Sequence, residues 1–127
     1  MTKLPKHAVI IDDDPINNLI CEKLLKLSGQ VDAVRSFLLA SEALEWLIAL
    51  PVADYPEIVL LDINMPVMDG WEFLLALNQR LPGHKLRIAI LTSSVSEDDQ
   101  AKAASNPSLI AFLIKPLTLE KISSLSL

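Results

Sequence analysis

Ile58-Val59-Leu60-Leu61-Asp62-Ile63-Asn64-Met65-Pro66-Val67-Met68-Asp69-Gly70-Trp71 passes through three kinds of structure in a short span. Its first four residues are apolar at every position, and the run is too short for a helix. Such a run is a strand buried on both faces, as in a parallel sheet. The run stops at a carboxylate, Asp62. Pro66 and the Asp69-Gly70 pair then supply turn chemistry. Helical spacing holds from Trp71 to about Leu81, where Pro82-Gly83 ends it.

The same grammar extends in both directions. Upstream, Ala8-Val9-Ile10-Ile11 is a second β-branched run, and it stops at Asp12-Asp13-Asp14. From Pro15 to Leu27 the spacing of Ile16, Ile20, Leu24 and Leu27 predicts a helix buried along that stripe, with Ser28-Gly29 as its stop. A weaker strand over 31–36 precedes a helix over 39–50 that turns Ala43, Leu44 and Leu47 inward, and 51–56 reads as a loop. Downstream, a strand over 86–91 runs into Thr92-Ser93-Ser94. Ser96 then caps a helix whose first turn holds Glu97, Asp98 and Asp99 and which reaches about Ser105. Leu109–Ile114 is the fifth strand and meets Lys115-Pro116; residues 118–127 have room for about three helical turns. Strands alternating with helices predict an α/β fold with a doubly wound parallel sheet. No internal repeat or low-complexity stretch divides the chain. It reads as one domain over 1–127, with its core from about residue 6.

Composition narrows the function classes. With 127 residues there is room for one domain, and 51% hydrophobic against 21% charged residues excludes a disordered tail. Eleven Lys and Arg against sixteen Asp and Glu give a net charge of −5. No basic stripe offsets it, which argues against a nucleic-acid surface. No apolar run approaches the roughly 18 residues of a membrane span, and the first seven residues are too polar for a signal peptide. Cys21 stands alone, so no internal disulfide forms. The expectation is a cytoplasmic domain that engages neither nucleic acid nor membrane.

In a doubly wound sheet, functional groups gather beyond the carboxyl ends of the strands, where strand order reverses. Asp12-Asp13-Asp14, Asp62, Thr92-Ser93-Ser94 and Lys115 all follow strands and converge on one edge. Asp14 ahead of Pro15 is a helix N-cap, but capping does not need Asp12 and Asp13. Carboxylates held close repel one another and raise a pKa unless a cation intervenes. Oxygen ligands in an incomplete cage suit Mg²⁺ better than Zn²⁺. Adding a lysine and a hydroxyl gives the parts of a phosphoryl site, where a carboxylate can itself be the nucleophile. Trp71, Trp46, His7 and His84 read as packing or surface residues.

Ile10-Ile11-Asp12-Asp13-Asp14-Pro15, Leu60 to Gly70, Leu91-Thr92-Ser93 and Lys115-Pro116 together resemble the receiver domain of two-component response regulators. The resemblance covers nearly the whole chain, and its Asp62-to-Gly70 block is highly specific. It implies a flavodoxin-like (βα)5 fold with strand order 2-1-3-4-5. It makes Asp62 the phosphoacceptor, with Mg²⁺ held by Asp12, Asp13, Asp62 and the backbone carbonyl of Asn64. Thr92 would bond a phosphoryl oxygen and Lys115 would pair with its charge. Phe112 sits where the family places an aromatic switch that follows Thr92, and Lys115–Pro116 would be cis. Asn64 and Ser94 flank the site where receivers tune hydrolysis.

The resemblance further implies phosphotransfer from a histidine kinase or histidine phosphotransfer protein, and catalysis only of the domain's own modification rather than an enzyme's turnover. Output would pass through the face of the fourth helix, fifth strand and fifth helix, toward a partner protein or a second copy. With the chain ending at Leu127, the expectation is a stand-alone receiver. Three alternatives stand beside it. One is a degenerate receiver that signals by contacts alone. Another is a small aspartyl-phosphate phosphatase suggested by Asp12-x-Asp14, although Pro15 and the lack of a cap oppose it. The third is a flavin domain, for which no phosphate loop follows the first strand.

Overall fold

Five parallel strands in the order β2-β1-β3-β4-β5 form the sheet in the computed structural model, which describes residues 6–127. In chain order the elements are β1 (His7–Ile11), α1 (Pro15–Leu27), β2 (Ala33–Phe37), α2 (Ala40–Ala49), β3 (Ile58–Leu61), α3 (Gly70–Arg80), β4 (Ile88–Thr92), α4 (Glu97–Ala104), β5 (Leu109–Ile114) and α5 (Leu119–Ser124). A short 3₁₀ turn, Val52–Asp54, lies in the expected loop ahead of β3.

The all-apolar runs face both ways, which is why they lack alternation. Val9 and Ile11 of β1, with Val59 and Leu61 of β3, pack against Ala43, Leu44 and Leu47 of α2 and Phe73, Leu74 and Leu77 of α3. Ala8, Ile10, Ile58 and Leu60 point the other way, onto Cys21 and Leu25 of α1 and Ile122 of α5. Each residue of these two strands is thus removed from water by a helix, at about 25 cal/mol per Å² of apolar surface. The two helix layers make the fold doubly wound, as the alternation of segments predicts.

The structure corrects several details. The stripe of Ile16, Ile20 and Leu27 on α1 faces solvent, 69%, 53% and 72% exposed; the helix buries Asn18, Cys21 and Leu25 instead. Two apolar stripes compete on this helix, and the polar Asn18 turns inward because its amide donates to the Asp12 carbonyl at 2.9 Å. β2 starts two residues later than expected, since the amides of Asp32 and Ala33 both reach the Lys6 carbonyl and set its register against β1. His7 is buried, not on the surface: it opens β1, with its ring edge-on to Trp46 at 6.1 Å between centroids. α5 has six residues rather than three turns, capped by the Thr118 side chain and followed by Ser126 at φ 55. Its Ile122, with the flanking Leu117 and Leu125, covers the sheet, and Leu119 is the exposed one.

Sheet order reverses between β1 and β3, which run side by side with Ile11 opposite Leu61. Asp12 and Asp62 are the next residue on each strand. The crevice for function is therefore built by register before any side chain is considered.

Candidate functional site

Three carboxylates meet at that crevice. Oxygens of Asp12, Asp13 and Asp62 lie within 4.8 Å of one another, with Asp12 and Asp62 buried and Asp13 exposed. Lys115 enters from the end of β5. Its Nζ stands 2.7 Å from Asp12 Oδ2 and 3.1 Å from Asp62 Oδ2. The Lys115 amide also donates to the Thr92 carbonyl at 2.8 Å, so the β4 and β5 ends are stitched together directly behind the ammonium. The Lys115–Pro116 peptide is cis.

Burial raises the Asp12 pKa above the ordinary carboxylate value, and the charge of Asp62 adds to this, while the hydrogen bonds from Lys115 and Asp14 only partly oppose it. For Lys115, burial would lower the pKa. The hydrogen bond to Asp12 and the charges of Asp62 and Asp12 outweigh that, and the ammonium is held more firmly than usual. One lysine cannot neutralise three carboxylates. The donor set is oxygen only and one member is open to solvent, which fits a hard divalent cation. It does not resemble the nitrogen and sulfur sets that select zinc.

The remaining predicted residues surround this centre. Thr92 ends β4 and is fully buried, its Oγ1 accepting from the Ser94 amide at 3.2 Å. The Asn64 amide donates to Asp62 Oδ1 at 3.1 Å, which fixes the carboxylate and leaves the Asn64 side chain exposed. Phe112 is half-buried on β5. It lines an open groove of about 440 Å³ with Gln100, Ala103 and Ala104 of α4. Asp14 caps α1 as expected, accepting from the amides of Ile16 and Asn17.

The loop after Asp62 is shaped by close approach. A Cβ on Gly70 would lie 2.7 Å from both the Asp62 carbonyl oxygen and the Ile63 Cα, so only glycine lets α3 begin against the end of β3. Asp69 and Glu72 form a capping box there. Ahead of it, the Met68 amide returns to the Pro66 carbonyl at 2.8 Å around Val67, whose φ is 70. That is a tight three-residue turn with a β-branched residue in the left-handed region.

Two contacts escaped the sequence reading. Asn17 Nδ2 donates to Asp12 Oδ2 at 2.9 Å, so α1 reaches back into the site. Trp71 does more than pack: its indole N–H donates to Asp99 Oδ1 at 3.1 Å, linking α3 to α4. The signal for the first was available, since an amide in the first turn of a helix can reach back to the residue two before its cap. The second joins positions 28 apart and had no local signal.

The comparisons with known proteins agree with this geometry. The family model of the response regulator receiver domain matches residues 8–125. The chain belongs to the response regulator receiver family. Among solved structures, the receiver superposes on a two-component response regulator from Cytophaga hutchinsonii with a TM-score of 0.86 and 29% identity, covering 96% of this chain and 94% of that one. It is 31% identical over 117 residues to the positive alginate biosynthesis regulatory protein of Pseudomonas aeruginosa, covering 92% of this chain and 44% of that protein. A probable methanogenesis regulatory protein of Methanothrix harundinacea is 37% identical over 67 residues, which is 53% of this chain and 43% of that protein. The receiver thus spans less than half the length of these two curated relatives. Strand order 2-1-3-4-5 is that of the flavodoxin-like receiver fold. Family membership places the chain in two-component signal transduction and leaves the phosphatase and flavin alternatives without support. Among the described residues, no helix is long and apolar enough to cross a membrane.

Proposed function

We propose that this receiver accepts one phosphoryl group on Asp62, in a reaction that needs Mg²⁺, from a histidine kinase or histidine phosphotransfer protein. The observation that carries this reading is Lys115 Nζ lying between Asp12 Oδ2 and Asp62 Oδ2, at 2.7 and 3.1 Å, beside an exposed third carboxylate. Asp12, Asp13, Asp62 and the Asn64 carbonyl would hold the cation, whose part is to offset charge on the carboxylates and the incoming phosphoryl oxygens. An Asp62 carboxylate oxygen forms the new bond to phosphorus as the bond from phosphorus to the donor nitrogen breaks, and the donor imidazole leaves with that electron pair. The Asn64 amide, on the other Asp62 oxygen, holds the nucleophile in line. Lys115 turns from the carboxylates to the new anion, and the Thr92 hydroxyl gives up the Ser94 amide to donate to a phosphoryl oxygen.

The output face in this reading is α4, β5 and α5. α4 buries none of its residues, so little packing energy holds it in one place. The groove between α4 and Phe112 gives the aromatic ring room to follow Thr92. The partner on that face would be a downstream protein or a second copy. The domain works on itself alone, in the cytoplasm, as one unit over 1–127, and is not an enzyme in the sense of turning over a separate substrate.

Acetyl phosphate with Mg²⁺ serves as the donor in the test. Reductive trapping of the acyl phosphate followed by peptide sequencing is expected to place the label on Asp62. A label on Asp12 or Asp14 would overturn the assignment.

A further inference from the structure

Asp12 carries the most heavily bonded carboxylate of the site. Its Oδ1 accepts from the Asp14 amide at 2.9 Å, and its Oδ2 accepts from Lys115 Nζ at 2.7 Å and from Asn17 Nδ2 at 2.9 Å. These partners are not equivalent. The Asp14 amide is backbone and cannot leave. Lys115 is shared with Asp62, so any new anion on Asp62 competes for it. Among the described residues, Asn17 is the one side chain that grips the Asp12 carboxylate without also serving Asp62.

The amide of Asn17 is itself oriented. Its Oδ1 accepts from Cys21 Sγ at 3.7 Å, one helical turn further along α1. Burial, with the charge of Asp12 adding to it, pushes the Cys21 thiol up to about 11, so it stays protonated and can only donate. Asp12, as a carboxylate, can only accept. A thiol donor at one end and a carboxylate acceptor at the other allow a single amide orientation. Next along the helix, Asn18 donates to the Asp12 carbonyl and anchors the backbone of the same residue. Consecutive asparagines of α1 thus hold the two ends of Asp12.

We infer that Asn17 is a positioning residue for the cation site, holding the Asp12 carboxylate in its ligand orientation when Lys115 moves away. This rests on the reading of Asp12, Asp13 and Asp62 as the Mg²⁺ ligands, and it goes beyond that reading by adding a residue that touches neither metal nor phosphoryl group. A neutral donor suits the task. It steadies the carboxylate without adding a competing ligand or a positive charge that would repel the cation. Partners of this kind, one bond removed from a metal, commonly change affinity by roughly 10- to 100-fold when removed.

The test uses the full chain and Mg²⁺ alone. Melting temperature is followed against Mg²⁺ concentration for the parent, Asn17→Ala, Asn17→Leu and Asp13→Asn. Half-saturation is read from the rise in stability with bound ligand. Both Asn17 variants lose the bond to Asp12, so the metal-free melting temperature should fall somewhat, an effect offset only in part by the better helix propensity of Ala and Leu. Both should need roughly tenfold more Mg²⁺ for half-saturation. A purely structural role would lower the metal-free melting temperature alone and leave half-saturation where it was. Half-saturation within about twofold of the parent in both variants, with Asp13→Asn clearly weakened, overturns the inference and leaves the cation site standing. A parent whose melting ignores Mg²⁺ overturns the cation site and the inference together.

Discussion

The Trp71 indole donates to Asp99 Oδ1 at 3.1 Å, and this single bond ties the start of α3 to the first turn of α4. The other Asp99 oxygen accepts from Ser94 Oγ at 2.6 Å, and the Ser94 amide in turn donates to Thr92 Oγ1. A continuous chain of hydrogen bonds therefore runs from Thr92, at the proposed phosphoryl site, to the ring of Trp71. If Thr92 turns toward a phosphoryl group, Ser94 loses an acceptor and the Asp99 clasp is disturbed. In a Trp46→Phe background, Trp71 fluorescence should change on adding beryllofluoride with Mg²⁺. Trp71→Phe should cost about 1 kcal/mol of stability in chemical unfolding, the usual net worth of one such bond. An emission spectrum indifferent to beryllofluoride would detach α4 from the site.

The same clasp gives a pH signature. Hydrogen bonding from Ser94, and then from Trp71 and Ser96, holds the Asp99 carboxyl below its ordinary value of 3.8 against the opposing effect of burial. A carboxylate whose pKa is depressed by folding contributes stability above the unfolded value, and loses it as pH falls through the folded one. Asp99→Asn should therefore melt below the parent at about pH 7. The gap should close on acidification to about pH 3 and lower. A gap that is the same at both pH values would mean that the charge of Asp99 plays no part.

Gly70 is predicted to be intolerant of even one methyl group. Its absent Cβ would sit 2.7 Å from backbone atoms of Asp62 and Ile63, which cannot swing aside as a flexible side chain would. Gly70→Ala should lose about 1–3 kcal/mol and slow phosphorylation, because any relief moves Asp62 itself. Denaturant unfolding and the rate with acetyl phosphate check the two parts.

Val67 predicts the opposite sign. It is 95% exposed, so its side chain contributes almost no buried surface, yet it holds a φ of 70 that a β-branched residue resists. Strain of this kind costs roughly 1–3 kcal/mol, and glycine gives back part of the gain through its freer unfolded chain. Val67→Gly should stabilise the domain by about 1 kcal/mol in denaturant unfolding.

Much of this molecule is legible from local pattern. The runs ending at Asp12, Asp62, Thr92 and Lys115 announce a parallel sheet; the first three are covered on both faces, while the equally apolar β5 lies at the sheet edge with Ile110 exposed. Register then brings those four residues to one edge without further information. The face of α1 was not legible. Ile16 and Ile20 have helical spacing as good as that of Cys21 and Leu25, and the choice falls to Asn18, whose bond to the Asp12 carbonyl turns the second stripe inward. Side-chain contacts across elements, such as Asn17 to Asp12 and Trp71 to Asp99, depend on distances that no spacing along the chain encodes.

The central claim is that Asp62 is the phosphoacceptor and that the reaction needs Mg²⁺. Intact mass after incubation with acetyl phosphate tests it most directly, on the parent with Mg²⁺, the parent with a chelator, and Asp62→Asn with Mg²⁺. The account predicts a gain of one phosphoryl mass in the first sample and none in the other two. A phosphoryl gain in Asp62→Asn, or one in the parent that survives the chelator, would contradict it.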